Sequence, residues 1–178
     1  RHYLTYLDWS LESIMTTVFG ISLIGWIHTI TGSLAIFIGI YILYKYKLIA
    51  YSLHSGKIYI FLTGISAATS LFIFNKGGFN LAHLLGLFTL FALFIGFIFE
   101  RKQIFGISRY FQAFSYSATL LFSLIPGISE VFTRLPSGNP IAQSIFDPVL
   151  QKTFLLLTFL YICLIAYQSY WIKFRLKT

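Results

Sequence analysis

Charge is scarce in this chain: only 10 % of its 178 residues are Asp, Glu, Lys or Arg, against about 25 % in an ordinary soluble domain. Acidic residues are the rarest part of it, 5 in all against 13 Lys and Arg. None of the 5 falls in the middle of an apolar run, which argues against a proton pump built on a carboxylate relay. Cysteine is nearly absent as well. The one thiol, Cys163, excludes an internal disulfide, and its apolar surroundings mark it as a small core filler. With no C-x-x-C-H, covalent haem attachment is excluded. The chain also lacks a Walker loop, a dinucleotide fingerprint, an H-E-x-x-H pair and a G-x-S-x-G elbow. The stretch 1–12 carries Asp8 and Glu12 and does not have the shape of a signal peptide.

What is abundant is apolar. Residues of that kind make up 57 % of the chain, and they come in blocks. A helix needs roughly 20 apolar residues to cross about 30 Å of hydrocarbon. Five blocks approach that length, at 22–44, 56–74, 80–99, 110–125 and 153–171. Backbone polar groups in lipid must be satisfied within the segment, so these blocks predict helices. A β-barrel would instead show alternating strands of about ten residues. The expected fold is therefore all-α, a polytopic membrane bundle of five transmembrane helices in a single unit covering 1–178.

Two further segments carry helical periodicity. Leu4, Leu7, Leu11, Ile14 and Val18 recur every three or four residues, as in a helix on or entering the interface. Between the fourth and fifth blocks, Ile128, Val131, Phe132 and Leu135 share one face. Glu130 and Arg134 share another, four apart, which favours an ion pair. This predicts a short interfacial helix over 128–135, stopped near Pro136, with the fourth span ending at Pro126. The S-G-N-P that follows is a turn signal, and the loop is placed to cap the bundle.

Lys and Arg sort to one side of this topology. The 45–57 and 100–109 loops and the C-terminus together hold Lys45, Lys47, Lys57, Arg101, Lys102, Arg109, Lys173, Arg175 and Lys177. The other side holds only Arg1, Lys76, Arg134 and Lys152. The positive-inside bias then predicts N-terminus out and C-terminus in, in a bacterial cytoplasmic membrane. The formal charge of +8 is explained by topology and lipid headgroups, without nucleic acid. Tyr41, Tyr44, Tyr46, Tyr51 and Tyr59, with Tyr167, Tyr170 and Trp171, stand at belt positions on the same side.

Polar groups inside the blocks are the candidates for function. His28 and His83 lie near the outer ends of the first and third spans, and His54 lies at the inner start of the second. Gly25, Gly32 and Gly39 share the face of His28, and Gly86 follows His83 by three, so both histidines are expected to point at other helices. Facing imidazoles suit axial ligands of a haem b, with Gly32 and Gly86 leaving room for its plane. They also suit a metal site that recruits His54. Hydrogen bonding to a neighbouring helix near the headgroups is the plainer reading of each, and a proton role is a further alternative.

In the fourth span Ser108, Gln112, Ser115, Thr119 and Ser123 form a continuous stripe flanked by Arg109 and Tyr116. Such a stripe is either interhelical glue or one wall of a substrate path. Thr63, Ser66 and Ser70 form a weaker one. The residues 75–80, N-K-G-G-F-N, read as a tight turn.

Taken together, H-T-I-T-G-S-L-A-I-F-I-G from His28, H-S-G-K-I-Y from His54, N-K-G-G-F-N-L-A-H-L-L-G-L-F and S-R-Y-F-Q-A-F resemble the predicted membrane proteins grouped as domain of unknown function 2306. The resemblance covers roughly residues 25 to 125. The family's second helix opens on histidine-arginine. Here Ser55 follows His54 and the glycine comes early, at Gly56, while Lys57 and Tyr59 keep the general character. The resemblance implies a small multi-helix membrane protein and draws attention to His28, His54 and Arg109. Three roles stay open: a haem or metal protein assisting electron transfer, an accessory subunit of a larger membrane complex, and a small transporter. Membrane lipids and other membrane subunits are the partners these roles imply. No enzymatic activity is indicated or excluded.

Overall fold

A computed structural model describes residues 22–74, 78–102 and 106–175. The periodic segment before residue 19, with Arg1 and His2, lies outside the described residues, as does Lys76. Five helices are described: α1 (Leu23–Tyr46), α2 (His54–Ser70), α3 (Leu81–Arg101), α4 (Ser108–Arg134) and α5 (Pro148–Arg175). No strand occurs among the described residues. The all-α bundle expected from the blocks is what forms.

Four of the helices, all but α2, are long and apolar enough to cross a membrane. At 17 residues α2 reaches about 26 Å, short of the roughly 30 Å of a hydrocarbon core. Its chain leaves the helix after Ser70, four residues before the end of the predicted span. Thr63, Ser66, Thr69 and Ser70 make it the most hydroxyl-rich of the first three helices, and α1 and α3 pack on either side of it.

The largest departure is in α4. A separate interfacial helix over 128–135 does not exist. The helix runs unbroken from Ser108 to Arg134 with Pro126 inside it. Proline removes the backbone donor that the Phe122 carbonyl would otherwise receive, a loss that a membrane helix tolerates, and hydroxyls on either side bond back to the helix backbone. Ser123 donates to the Thr119 carbonyl at 2.9 Å, and Ser129 to the Ile125 carbonyl at 2.7 Å. The predicted ion pair between Glu130 and Arg134 is present on the exposed side of this last stretch.

Local chemistry accounts for the helix ends. Ser22 caps α1 by accepting from the Gly25 amide at 3.1 Å. Asp147 accepts from the Val149 amide at 2.9 Å, with Pro148 at the first position of α5, where a missing amide costs nothing. The loop between α4 and α5 turns back on the last turn of α4, where Ala142 donates to the Phe132 carbonyl. Ala142 and Leu150 are buried where the loop returns.

Packing is led by α4, which contacts α3 and α5 broadly and α1 more sparingly. Close approaches are made at glycines. Gly96 of α3 lets the Tyr116 ring lie where a Cβ would stand 2.6 Å away, and Gly39 of α1 does the same for Tyr59 at 2.7 Å. Helix α5 is peripheral: Leu155, Phe159, Leu160 and Ile162 all face outward. Cys163 faces outward with them and is not a core residue. Among the described helices it packs chiefly on α4, so most of its circumference is left to the surroundings.

Candidate functional site

The two histidines expected to face each other each have a hydrogen-bond partner of their own. His28 faces α2, where its Nδ1 lies 2.8 Å from the Ser66 carbonyl oxygen. A carbonyl can only accept, so Nδ1 carries the proton and donates. Ser66 replies through its hydroxyl, which donates to the His28 carbonyl at 3.2 Å. This reciprocal pair clamps α1 to α2. Gly32 is part of the same contact, since a Cβ there would stand 2.8 Å from the Ser66 hydroxyl. The space beside Gly32 is therefore filled by α2.

His83 serves its own helix first. It completes a capping box with Asn80: the Asn80 amide donates to Nδ1 at 3.2 Å, and the Asn80 side chain accepts from Ala82 at 2.9 Å. The ring is 1 % exposed and lies between Phe74 and Phe79, with centroids 4.8 and 5.2 Å away. Its Nε2 is buried and meets no hydrogen-bonding partner among the described residues. Gly86 packs on the end of α2, 3.3 Å from the Ala67 carbonyl if a Cβ is added, and the Ser70 hydroxyl is nearer still. Thus His28 joins α1 to α2, while His83 lies on α3 beside the loop that leaves α2.

His54 is exposed at the far end of α2. Twelve residues, or about 18 Å of helix, separate it from the level of Ser66. No three His, Cys, Asp or Glu side chains gather at one point among the described residues.

The α4 stripe is an internal seam. Thr119 shares a 2.7 Å hydrogen bond with the Tyr59 hydroxyl of α2, and both residues are buried. Ser115 is buried, and Ser108 donates to the Lys102 carbonyl. Gln112 reaches the Ile49 carbonyl at 3.0 Å. Arg109 points away from the seam and is exposed.

Gln112 belongs to a cluster that the sequence reading missed. The short connection between α1 and α2 is held at its backbone by three later helices. Glu100 of α3 accepts from the amides of Tyr51 at 2.7 Å and Ser52 at 2.9 Å, and from the Tyr116 hydroxyl at 3.2 Å. Gln168 of α5 donates to the Lys47 carbonyl at 2.8 Å and accepts from Ser117 at 3.1 Å. Lys47 sits in the left-handed region, φ 66°, where a residue other than glycine is strained, and Gln168 holds it there. Ile49 at the centre of the loop is fully buried. These contacts bring the α1–α2 loop together with the C-terminal end of α3, the first turns of α4 and the C-terminal part of α5.

No family model matches the chain, and no curated protein or solved structure matches it either. The likeness to the domain of unknown function 2306 proteins rests on the quoted residues alone.

Proposed function

We propose that this protein is an accessory subunit of a membrane complex, a packing module without chemistry of its own. The observation that supports this reading is the use made of its intramembrane polar groups. His28, Ser66, Tyr59, Thr119, Ser117 and Gln168 hold one helix to another, or a loop to a helix, and so do Gln112 and Glu100 at the inner end. A rigid bundle of this kind offers its outer faces, above all α5 and the lipid-side face of α1, to other membrane helices and to lipid. On this reading the basic end faces the cytoplasm of a bacterium, with the C-terminus inside.

The test is solubilisation of native membranes in a mild detergent, followed by native electrophoresis. Migration well above the 20.4 kDa of the chain, together with other integral membrane polypeptides, is the expected result. Migration as a lone chain at every detergent concentration would defeat the proposal.

A second reading is favoured by one atom, the unpartnered Nε2 of His83. If Nδ1 donates instead to the Asn80 side-chain oxygen, 3.1 Å away, Nε2 presents a lone pair to a metal or a haem iron, with its ring orientation already fixed. His28 has the same polarity, Nδ1 donating to a carbonyl, and its Nε2 is then an acceptor. Electron transfer through such a group would make the protein coloured, which the accessory role does not require.

A further inference from the structure

The basic end carries a feature that neither helix packing nor topology needs. Tyr51, in the α1–α2 loop, stands edge-on to Phe97 of α3, with ring centroids 5.4 Å apart. A cation rests on each ring: the Lys57 ammonium lies 5.5 Å from the Tyr51 centroid, and the Arg101 guanidinium 4.9 Å from that of Phe97. The two aromatic faces fix where the two charges stand.

Neither cation has a carboxylate partner among the described residues. Glu100 lies beside them, but its oxygens are turned to the Tyr51 and Ser52 amides and the Tyr116 hydroxyl. A recess of about 170 Å³ opens between Tyr51, Phe97 and Arg101. Tyr51 also lines a groove of about 440 Å³, whose other walls are Lys57, Ile58, Ile60, Phe61 and Leu62. Cations at the membrane surface thus stand above an apolar groove that leads down the wall of the bundle.

We propose that this groove binds an anionic phospholipid. Its phosphate lies by Lys57 and Arg101, the Ser52 hydroxyl lies within the same recess, and one acyl chain runs along Ile58, Phe61 and Leu62. Charge complementarity selects the occupant. A zwitterionic headgroup brings a cation that must be placed near Lys57 and Arg101, whereas an anionic headgroup neutralises them. The site rests on the chain being a membrane bundle and is independent of its accessory role.

The test titrates the full chain, in maltoside micelles, with phosphatidylglycerol or phosphatidylcholine and counts bound lipid by native mass spectrometry. Phosphatidylglycerol should be retained preferentially. The double variant Lys57→Gln/Arg101→Gln should lose about fivefold in affinity per cation removed. The charge-preserving pair Lys57→Arg/Arg101→Lys should keep most of it. Lys45→Gln/Lys173→Gln removes the same charge from the same end, outside the groove, and should leave binding nearly unchanged. Equal retention of phosphatidylcholine, or equal losses in the two glutamine double variants, would overturn the site in favour of diffuse surface charge. Both groove cations are exposed, so unchanged thermal unfolding is expected and checks that the fold is intact.

Discussion

Single side chains in this protein do more joining than their sequence neighbours suggest. Glu100 is the clearest instance. It accepts three hydrogen bonds from two other parts of the chain, and bonds to a charged group are worth about 1.5–3 kcal/mol each at most. Glu100→Ala should lower stability by about 2–3 kcal/mol and free the α1–α2 loop, seen as a lower unfolding temperature in detergent and faster amide exchange at Tyr51 and Ser52. Gly56→Ala should do more damage still. Its Cβ would stand 1.7 Å from the Ala50 carbonyl oxygen, a backbone atom that cannot turn aside. A failure to accumulate in the membrane is the expected readout. His28 and Ser66 can be tested as a pair by a double-mutant cycle of alanine substitutions. Interhelical hydrogen bonds in membranes couple by about 0.6 kcal/mol on average and about 1.7 at most. A coupling in that range fits a clamp, and additive losses would remove it.

Among the elements, those set by long apolar runs were legible from the sequence, and those set by distant partners were not. The runs at 22–44 and 80–99 became α1 and α3 with ends shifted by a residue or two. The run at 153–171 became the middle of α5, which starts earlier because Asp147 and Pro148 form a start signal outside the apolar block. Pro126 misled, since a stop in water is tolerated inside a membrane helix, and so one α4 was read as two helices. The α4 stripe was legible, because a spacing of three and four places Gln112, Ser115, Thr119 and Ser123 on one face whatever lies opposite. Glu100 and Gln168 gave no such signal. Their partners are backbone atoms of a loop far away in sequence, and no spacing records a backbone atom. Gln168 also ties α5 both to α4 and to the α1–α2 loop. Gln168→Leu should leave the Ser117 hydroxyl and the Lys47 carbonyl unpaired and loosen α5 from α4. Disulfide trapping between cysteines placed at Phe114 and Tyr161, neighbouring rings with centroids 5.9 Å apart, would report that as slower cross-linking than in the parent.

At the scale of the whole molecule, the two ends differ. One end gathers the basic loops around a loop lashed down by three helices. The other holds His83 and the returning loop after α4. Between them the helices are joined by hydroxyls, amides and one imidazole, and the outer faces are almost wholly apolar. The central claim is that these buried polar groups bind the bundle together and leave the chemistry to a partner. The most direct measurement is the visible absorption spectrum of the protein purified from its native membrane in mild detergent, first oxidised and then reduced. The account predicts a folded, colourless protein with no Soret band in either state. A Soret band with sharp reduced α and β bands, abolished in His28→Ala and His83→Ala variants that still fold, would contradict it and make the histidines ligands.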